Sequence, residues 1–365
     1  MACYFTLERA ASADLHHRYK QFITFSTNHG AATIRFLVNG DGVTMQEYSA
    51  LPVDNGFPFI QDLYRPYIHP IDALEFDDQN GKTYSLPQMP RFTKPLREKI
   101  LILDVDTRPL DGPGELLNGT RLNTTSAHHN TIGRLSHYIY ATIHGYDYKL
   151  IQASSPKGLH GTWSKVTAMK EALKYYEFVI FLDGDAMIRH PHLPMEWLFN
   201  YWDITPDTLV AMALDPDEPQ NRDAKGKTLL NTGFIIGQRD PRTQELFEAW
   251  ESCPTDMRYP DCSKWSQQWS HEQAAFGNHL RYDNALQGGI KTLSCAEANG
   301  YPEMAKTNCT GEFIRHYWIF KDLLPAAVES SITQYFLPRV QGLFHQNFAS
   351  VVLNISDSAV SSIKE

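Results

Sequence analysis

The sequence predicts an α/β fold: a mostly parallel central sheet flanked by helices, preceded by an irregular N-terminal segment. Three observations predict it. From Lys99 onward, short apolar runs alternate with stretches of helical periodicity, which is typical of strands covered by helices. Two of these runs end in Asp-x-Asp pairs, at the strand ends where such sheets bind ligands. Before Lys99, seven prolines lie between residues 52 and 95, which indicates an irregular chain path.

The composition favours a globular protein and argues against several other classes. The chain has 365 residues, of which 42% are hydrophobic and 21% are charged, so two to three domains are expected. The net charge of −9 argues against a nucleic-acid partner. No apolar run approaches the roughly 18–20 residues of a membrane span, so no transmembrane segment is expected. The oligomeric state stays open.

Two expectations about location remain open. The N-terminus carries neither the charged nor the apolar region of a signal peptide, so the chain as written is expected to be soluble and cytoplasmic. The alternative is the Golgi lumen, if the chain is a truncated or anchored form. Four Asn-x-Ser/Thr sequons fit that alternative, beginning at Asn118, Asn123, Asn308 and Asn354.

Three regions are expected along the chain. Residues 1–96 form a hairpin and a proline-rich segment packed on the core, with the hairpin turn at 39–42. Residues 97–321 form the catalytic domain. Residues 322–365 form a docking helix and tail, because apolar residues recur there at Leu337, Val340, Phe344 and Phe348.

Within the catalytic region each element has its own signal. Residues 99–103 form an apolar strand that ends at Asp104 and Asp106, and a helical pattern over 132–143 stops at Gly145. The further expected elements are a strand over 149–153, a helix over 166–176, a strand over 178–182, and apolar runs over 209–214 and 230–237.

The strongest local motif is Asp183-Gly184-Asp185, directly after the strand over 178–182. Two carboxylates at one strand end provide hard oxygen ligands, which suit Mn²⁺ or Mg²⁺ bridging a diphosphate. Lys165 lies at the start of the preceding helix, where a lysine can bind phosphate. A polar turn and a solvated lysine are the simpler interpretations.

Three later motifs complete the candidate site. Asn231-Thr232-Gly233 opens an apolar strand, where Asn231 could bind hydroxyls and Gly233 could admit a ligand close to the backbone. Glu272 and Gln273 open a helix, which ordinary helix N-terminal chemistry could also explain. His316 lies in an aromatic run with Lys321 five residues later, and a core histidine is the alternative there.

In this order, the motifs resemble those of metal-dependent nucleotide-sugar glycosyltransferases of the GT-A fold. The sequence is most similar to retaining families: the fungal α-1,2-galactosyltransferase and α-1,6-mannosyltransferase family, and the glycogenin-like family. The resemblance runs from about Lys99 to Lys321. It implies hexosyl transfer from a UDP- or GDP-sugar to a hydroxyl on a glycan or small molecule, with Mn²⁺ and with retention of configuration.

The resemblance also implies roles for single residues. Asp183, Asp185 and His316 would hold the metal, and Glu272 and Gln273 would be catalytic, beside the donor sugar. The residues implied to bind the donor are Asp104, Asp106, Arg108, Lys165, Asp183, Asn231, Gly233 and Lys321. The usual His-x-x-Gly…Lys-Pro-Trp ending is absent, and the spacing from His316 to Lys321 is one residue shorter.

Two parts of the sequence partly match the motifs of other enzyme classes. Residues 100–107 fit the hhhhDxDxT pattern of haloacid-dehalogenase-type phosphatases, in which Asp104 would attack phosphorus and Asp106 would serve as acid and base. The later acidic pair fails, because Arg189 stands where a second aspartate is required. The second alternative is a zinc hydrolase built on His271 and Glu272. It lacks its second histidine ligand, since Ala275 occupies that position.

A non-enzymatic alternative also stays open: a glycan-binding protein that has lost its chemistry. The intact set of Asp183, Asp185 and His316 argues against such decay. The spacing of Cys253/Cys262 and Cys295/Cys309 leaves open whether either pair forms a disulfide.

Overall fold

The computed structural model describes residues 22–27, 30–35, 37–39, 42–44 and 56–348. The chain divides into two compact units, Met1–Asp54 and Asn55–Glu365. In the first unit, strand β1 (Phe22–Thr27) pairs antiparallel with β2 (Gly30–Arg35), and β3 (Leu37–Asn39) with β4 (Gly42–Thr44). The pairing of Asn39 with Gly42 agrees with the predicted hairpin. Cys3, residues 45–55 and the sequon at Asn354 lie outside the described residues.

The described residues of the second unit form ten strands and eight α-helices. The strands are β5 (Glu75–Asp77), β6 (Thr83–Ser85), β7 (Ile100–Asp106), β8 (Asp147–Gln152), β9 (Phe178–Leu182), β10 (Ala186–Ile188), β11 (Val210–Leu214), β12 (Leu230–Gln238), β13 (Ile290–Leu293) and β14 (Ile314–His316). The helices are α1 (Gly56–Tyr64), α2 (His129–His144), α3 (Ser164–Ala172), α4 (Met195–Tyr201), α5 (Pro241–Glu251), α6 (Glu272–Asn278), α7 (Cys295–Ala298) and α8 (Leu324–Gln346).

Six of these strands form the central sheet, in the order β13-β11-β12-β9-β7-β8. Strand β12 runs antiparallel to both of its neighbours, whereas the β7–β8, β7–β9 and β11–β13 pairs are parallel. The predicted mostly parallel α/β sheet is therefore confirmed. The α2 prediction is also confirmed, because Gly145 ends that helix in the left-handed conformation, at a φ of 72°.

The sheet is buried on both faces because its central strands are apolar throughout. Along β9 every residue is buried. Phe178, Ile180 and Leu182 pack into one hydrophobic cluster, and Val179 and Phe181 pack into the cluster on the opposite face. This alternation follows from the two-residue period of a strand, and covering both faces is what a parallel sheet requires.

The part of the proline-rich segment that the structure describes, up to residue 96, packs within the second unit. The Trp197 indole donates to the Ala73 carbonyl at 2.8 Å, and the Asn200 side-chain oxygen accepts from the backbone N–H groups of Arg91 and Phe92. The division into regions 1–96, 97–321 and 322–365 stays a prediction.

Helix α8 docks differently from the predicted pattern. Its buried residues are Leu324, Val328 and Tyr335. The apolar residues that suggested docking are exposed on its far half: Leu337, Val340, Phe344 and, just beyond the helix, Phe348. Their spacing correctly predicted a helix. The predicted docking face is wrong, because these residues are exposed and a different face of the helix packs on the fold.

Two disulfides settle the question that cysteine spacing left open, because Cys253 is bonded to Cys262 and Cys295 to Cys309. Across the described part of the chain, no helix is both long and apolar enough to cross a bilayer.

Candidate active site at the carboxyl edge of the sheet

The metal-ligand candidates meet where β9 ends. Asp183 and Asp185 flank the turn after β9, and β10 pairs antiparallel with β14, so that Ala186 stands opposite His316. His316 Nε2 lies 3.2 Å from Asp185 Oδ1 and 3.8 Å from Asp183 Oδ2. One ligand atom from each of the three residues lies within 4.8 Å of the others. Two carboxylates and an imidazole at this spacing fit a divalent cation such as Mn²⁺.

Lys321 places a positive charge beside one of these carboxylates. Lys321 Nζ lies 2.6 Å from Asp185 Oδ2. Burial alone would raise the pKa of Asp185, but His316 and Lys321 hold it well below its ordinary value. Burial would lower the pKa of His316, but Asp185 and Asp183 raise it above its ordinary value. The site is thus built to hold positive charge.

Lys165 is buried beside the same turn, between two acidic groups. Its Nζ lies 2.9 Å from Asp183 Oδ1 and 3.3 Å from Glu272 Oε1. Burial would lower the pKa of Lys165, but Asp183 and Glu272 raise it above its ordinary value. The structure therefore joins the predicted lysine, the Asp-Gly-Asp turn and the start of α6 in one charged cluster.

The antiparallel direction of β12 explains why a motif at the start of a strand belongs to this site. Strand β12 begins at the edge where β9 ends, and the Asp183 N–H donates to the Gly233 carbonyl at 2.8 Å. The Thr232 hydroxyl donates to Glu272 Oε1 at 3.0 Å, and Gln273 Oε1 accepts from the Thr232 N–H at 3.1 Å. These bonds fix the first two residues of α6 against β12.

Asp215, directly after β11, is a central residue of the site, although the sequence made it only the next candidate after Glu272 and Gln273. It accepts hydrogen bonds from Asn231 Nδ2 at 2.8 Å and from Gln273 Nε2 at 2.7 Å. Burial raises the pKa of Asp215, partly offset by the bond from Asn231. Asn231 Oδ1 also accepts from the Gly233 N–H, so Asn231 holds Asp215 and its own turn rather than presenting a free amide. A carboxylate directly after a strand at this edge was the available signal.

Gly233 has a different neighbour from the one expected. A Cβ at this position would lie 2.1 Å from His316 Cε1, so the glycine makes room for the imidazole. Its expected role in admitting a ligand stays a prediction.

We expect Gly233→Ala to push the His316 ring out of place and so raise the Mn²⁺ concentration needed for half-maximal activity. Gly288→Ala is the control, because a Cβ there meets open space. Gly226→Ala would be a poorer control, because the positive φ of Gly226 strains any other residue. A Gly233→Ala protein with unchanged metal dependence would contradict the placement of His316.

The first Asp-x-Asp pair lies behind the site. Asp104 is buried, and its carboxylate accepts from Tyr148 Oη at 2.8 Å and lies 3.1 Å from His137 Nδ1. Asp106 accepts from Arg108 and Arg134. Donor binding by these residues stays a prediction. The geometry does weaken the phosphatase alternative, since Asp104 is 1% exposed and is not free to attack phosphorus.

The candidate residues open into one cleft of about 680 Å³. Its walls include Asp183, Asp185, His316, Lys165 and Glu272, together with the exposed Trp269. Asn231, Gly233, Gln273 and Lys321 also line this cleft, whereas Asp104, Asp106 and Arg108 are not among its lining residues.

Comparisons with known structures find several glycosyltransferases. A glycosyltransferase involved in glycosylation of the major capsid of PBCV-1 is 14% identical, with a TM-score of 0.44, over 63% of this chain and 98% of that one. The galactosyltransferase LgtC, in complex with donor and acceptor sugar analogs, is 13% identical, with a TM-score of 0.38, over 63% and 95%. Mouse xyloside xylosyltransferase 1 is 12% identical, with a TM-score of 0.37, over 61% and 98%.

No curated protein sequence matches the chain. Residues 123–325, more than half of the chain, match the galactosyl transferase GMA12/MNN10 family. This region contains the Asp-Gly-Asp turn, the start of β12, the start of α6 and His316. The chain therefore belongs to the galactosyl transferase GMA12/MNN10 family, and it is a hexosyltransferase built on a mostly parallel α/β sheet.

Proposed function

We propose that this enzyme transfers a hexosyl group from a nucleotide diphosphate sugar, UDP- or GDP-linked, to a hydroxyl of a glycan or small molecule. The observation that carries the proposal is the convergence of Asp183, Asp185 and His316 within 4.8 Å at the carboxyl edge of the sheet. Mn²⁺ fits this donor set best, and Mg²⁺ would also accept its oxygens. Held by these three residues, the metal would offset the charge of the departing diphosphate.

The two lysines would have different roles at the donor site. The half-exposed Lys321 side chain pairs with Asp185 and would turn from that carboxylate toward a phosphate of the donor. Lys165 is held by Asp183 and Glu272 and cannot move without breaking both contacts. We propose that Lys165 fixes the carboxylates and that Lys321 contacts the donor.

Glu272 and Gln273 would position the sugar. Glu272 Oε2 is buried and has no hydrogen-bond partner among the described residues, and Glu272 lines the cleft. Burial would raise the pKa of Glu272, but Lys165 and nearby hydroxyls keep it below its ordinary value. An ionised oxygen left without a partner can accept a sugar hydroxyl and stabilise positive charge that develops on the sugar ring.

Retention of the anomeric configuration is part of the proposal by family resemblance. The bond from the anomeric carbon to the diphosphate oxygen breaks, and a bond to the acceptor oxygen forms on the same face. The acceptor proton leaves with the diphosphate oxygen.

The experiment is a panel of UDP- and GDP-hexoses with glycan and small-molecule acceptors, assayed with Mn²⁺ and with a chelator. The proposal expects Mn²⁺-dependent release of nucleoside diphosphate from one donor class, and NMR of the product should show the donor's own anomeric configuration. Phosphate release from an aryl phosphate, with no sugar-nucleotide turnover, would favour the phosphatase alternative. Donor or glycan binding without turnover would favour the inactive binding protein.

We expect Gln273→Ala to lower turnover more than it raises the donor KM, because its amide is aligned by Asp215 and Thr232 for the transition state. The loss should be about 100- to 1,000-fold, the range of a lost transition-state hydrogen bond. Gln244→Ala is the control, since that side chain bonds the Lys170 carbonyl on a different face of the fold. A rise in KM alone would make Gln273 a ground-state binder.

A further inference from the structure

Helix α2 lies directly behind the Asp-Gly-Asp turn. A Cβ on Gly133 would come within 2.1 Å of the Gly184 carbonyl oxygen, so helix and turn approach as closely as a glycine permits. A Cβ on Gly184 would in turn lie 2.9 Å from the Arg134 guanidinium. His137, one turn further along the same helix, is fully buried.

His137 connects this helix to the peptide that follows Asp185. Its Nε2 lies 2.9 Å from the Ala186 carbonyl oxygen, and its Nδ1 lies 3.1 Å from Asp104 Oδ2. Each ring nitrogen therefore has an oxygen within hydrogen-bond distance. Asp104 is held in turn by the Tyr148 hydroxyl. The imidazole is therefore fixed on both sides and cannot rotate without losing a bond.

Ala186 is the residue through which the ligand candidates are connected. Its N–H donates to the Asp183 carbonyl at 2.9 Å, it follows Asp185 in sequence, and it pairs with His316 across β10 and β14. A shift of the Ala186 peptide would therefore move all three side chains relative to one another.

We propose that His137 is a positioning residue for the metal site, acting through the Ala186 carbonyl and oriented by Asp104. This inference rests on the proposed function, because it assumes that Asp183, Asp185 and His316 bind a divalent cation. His137 itself lies behind the turn and is not among the residues that line the cleft. Hydrogen-bond partners outside a ligand set orient the ligands, and their loss lowers metal affinity about 10- to 100-fold.

Two amide substitutions separate positioning from simple packing. In His137→Gln the amide nitrogen stands near the position of Nε2, so the bond to Ala186 is kept while the bond to Asp104 is lost. In His137→Asn the shorter amide stands near Nδ1, so Asp104 keeps its partner while Ala186 loses its own. Each variant leaves one of the two bonds, which favours folding of both, and thermal unfolding measures the stability of each.

The measurement is a calorimetric titration of the full chain with Mn²⁺ alone, without donor or acceptor. We expect His137→Asn to weaken Mn²⁺ binding about 10- to 100-fold and His137→Gln to bind nearly as the wild type does. His144→Asn is the matched control, because His144 is another bonded histidine on α2 whose Nε2 reaches the Pro191 carbonyl instead. It should lower the melting temperature and leave Mn²⁺ affinity unchanged.

Wild-type affinity in His137→Asn would overturn the inference, and so would an equal loss in both variants that follows their melting temperatures. These outcomes leave the proposed function standing. Absence of Mn²⁺ binding by the wild-type chain would instead overturn the proposed metal site and this inference together.

Discussion

Asp185→Asn should lower glycosyl transfer by about 100- to 1,000-fold, the scale of losing one preorganised charge-stabilising group. The substitution keeps the shape of the side chain but removes the negative charge that faces His316 and Lys321. Asp185 is 6% exposed, so solvent cannot replace that charge. The remaining carboxylate and imidazole would bind the metal weakly, and excess Mn²⁺ should restore part of the activity.

The assay is donor turnover as a function of Mn²⁺ concentration in the variant and the wild type. Asp207→Asn is the control, because that side chain is 85% exposed and its carboxylate pairs only loosely with Arg242, at 3.6 Å. Asp185→Asn activity within threefold of wild type at the same Mn²⁺ concentration would remove Asp185 from the site.

Acidification from pH 8 to pH 5 should markedly lower the free energy of unfolding. Burial lowers the pKa of His144 to about 3, of His190 to about 3 and of His192 to about 4, against an ordinary value of 6.5. Between the folded and unfolded pKa values the unfolded chain binds more protons, so stability is full above pH 6.5 and falls as the pH drops below it. At pH 5 each of the three histidines would cost about 2 kcal/mol.

His316 acts in the opposite sense, because its raised pKa gives stability that is lost as the pH rises. The other described histidines with shifted pKa values are all lowered, so the histidine contribution keeps its sign: His69, His128, His129, His271 and His279. Denaturant unfolding at pH 5, 6, 7 and 8 measures the slope. His144→Gln should keep a donor for the Pro191 carbonyl and reduce proton uptake on unfolding by about one. A flat profile between pH 5 and 7 would contradict the assignment of buried neutral histidines.

The sequence predicted the elements well because their signals are local. The five apolar residues of β9 favour a strand, and the spacing before Gly145 favours a helix, whatever other elements pack against them. The Asp-Gly-Asp turn was also predictable, since a strand end is marked by the change from apolar to acidic residues.

Long-range pairing explains what the sequence could not predict. The direction of β12 depends on its two neighbours, and only that direction brings Gly233 beside Asp183. Asp104 and Asp185 look alike in sequence, yet one is enclosed by His137 and Tyr148 while the other faces the cleft. Which carboxylate faces the cleft therefore depends on contacts with residues that are distant in sequence.

The most direct test of the metal site is a crystal of the chain grown with Mn²⁺ and a nucleoside diphosphate, with anomalous data collected for manganese. The account predicts one strong anomalous peak within about 2.5 Å of Asp183, Asp185 and His316, with the diphosphate on the cleft side of that peak. A manganese peak that lies away from these residues, or a diphosphate bound elsewhere on the fold, would contradict it.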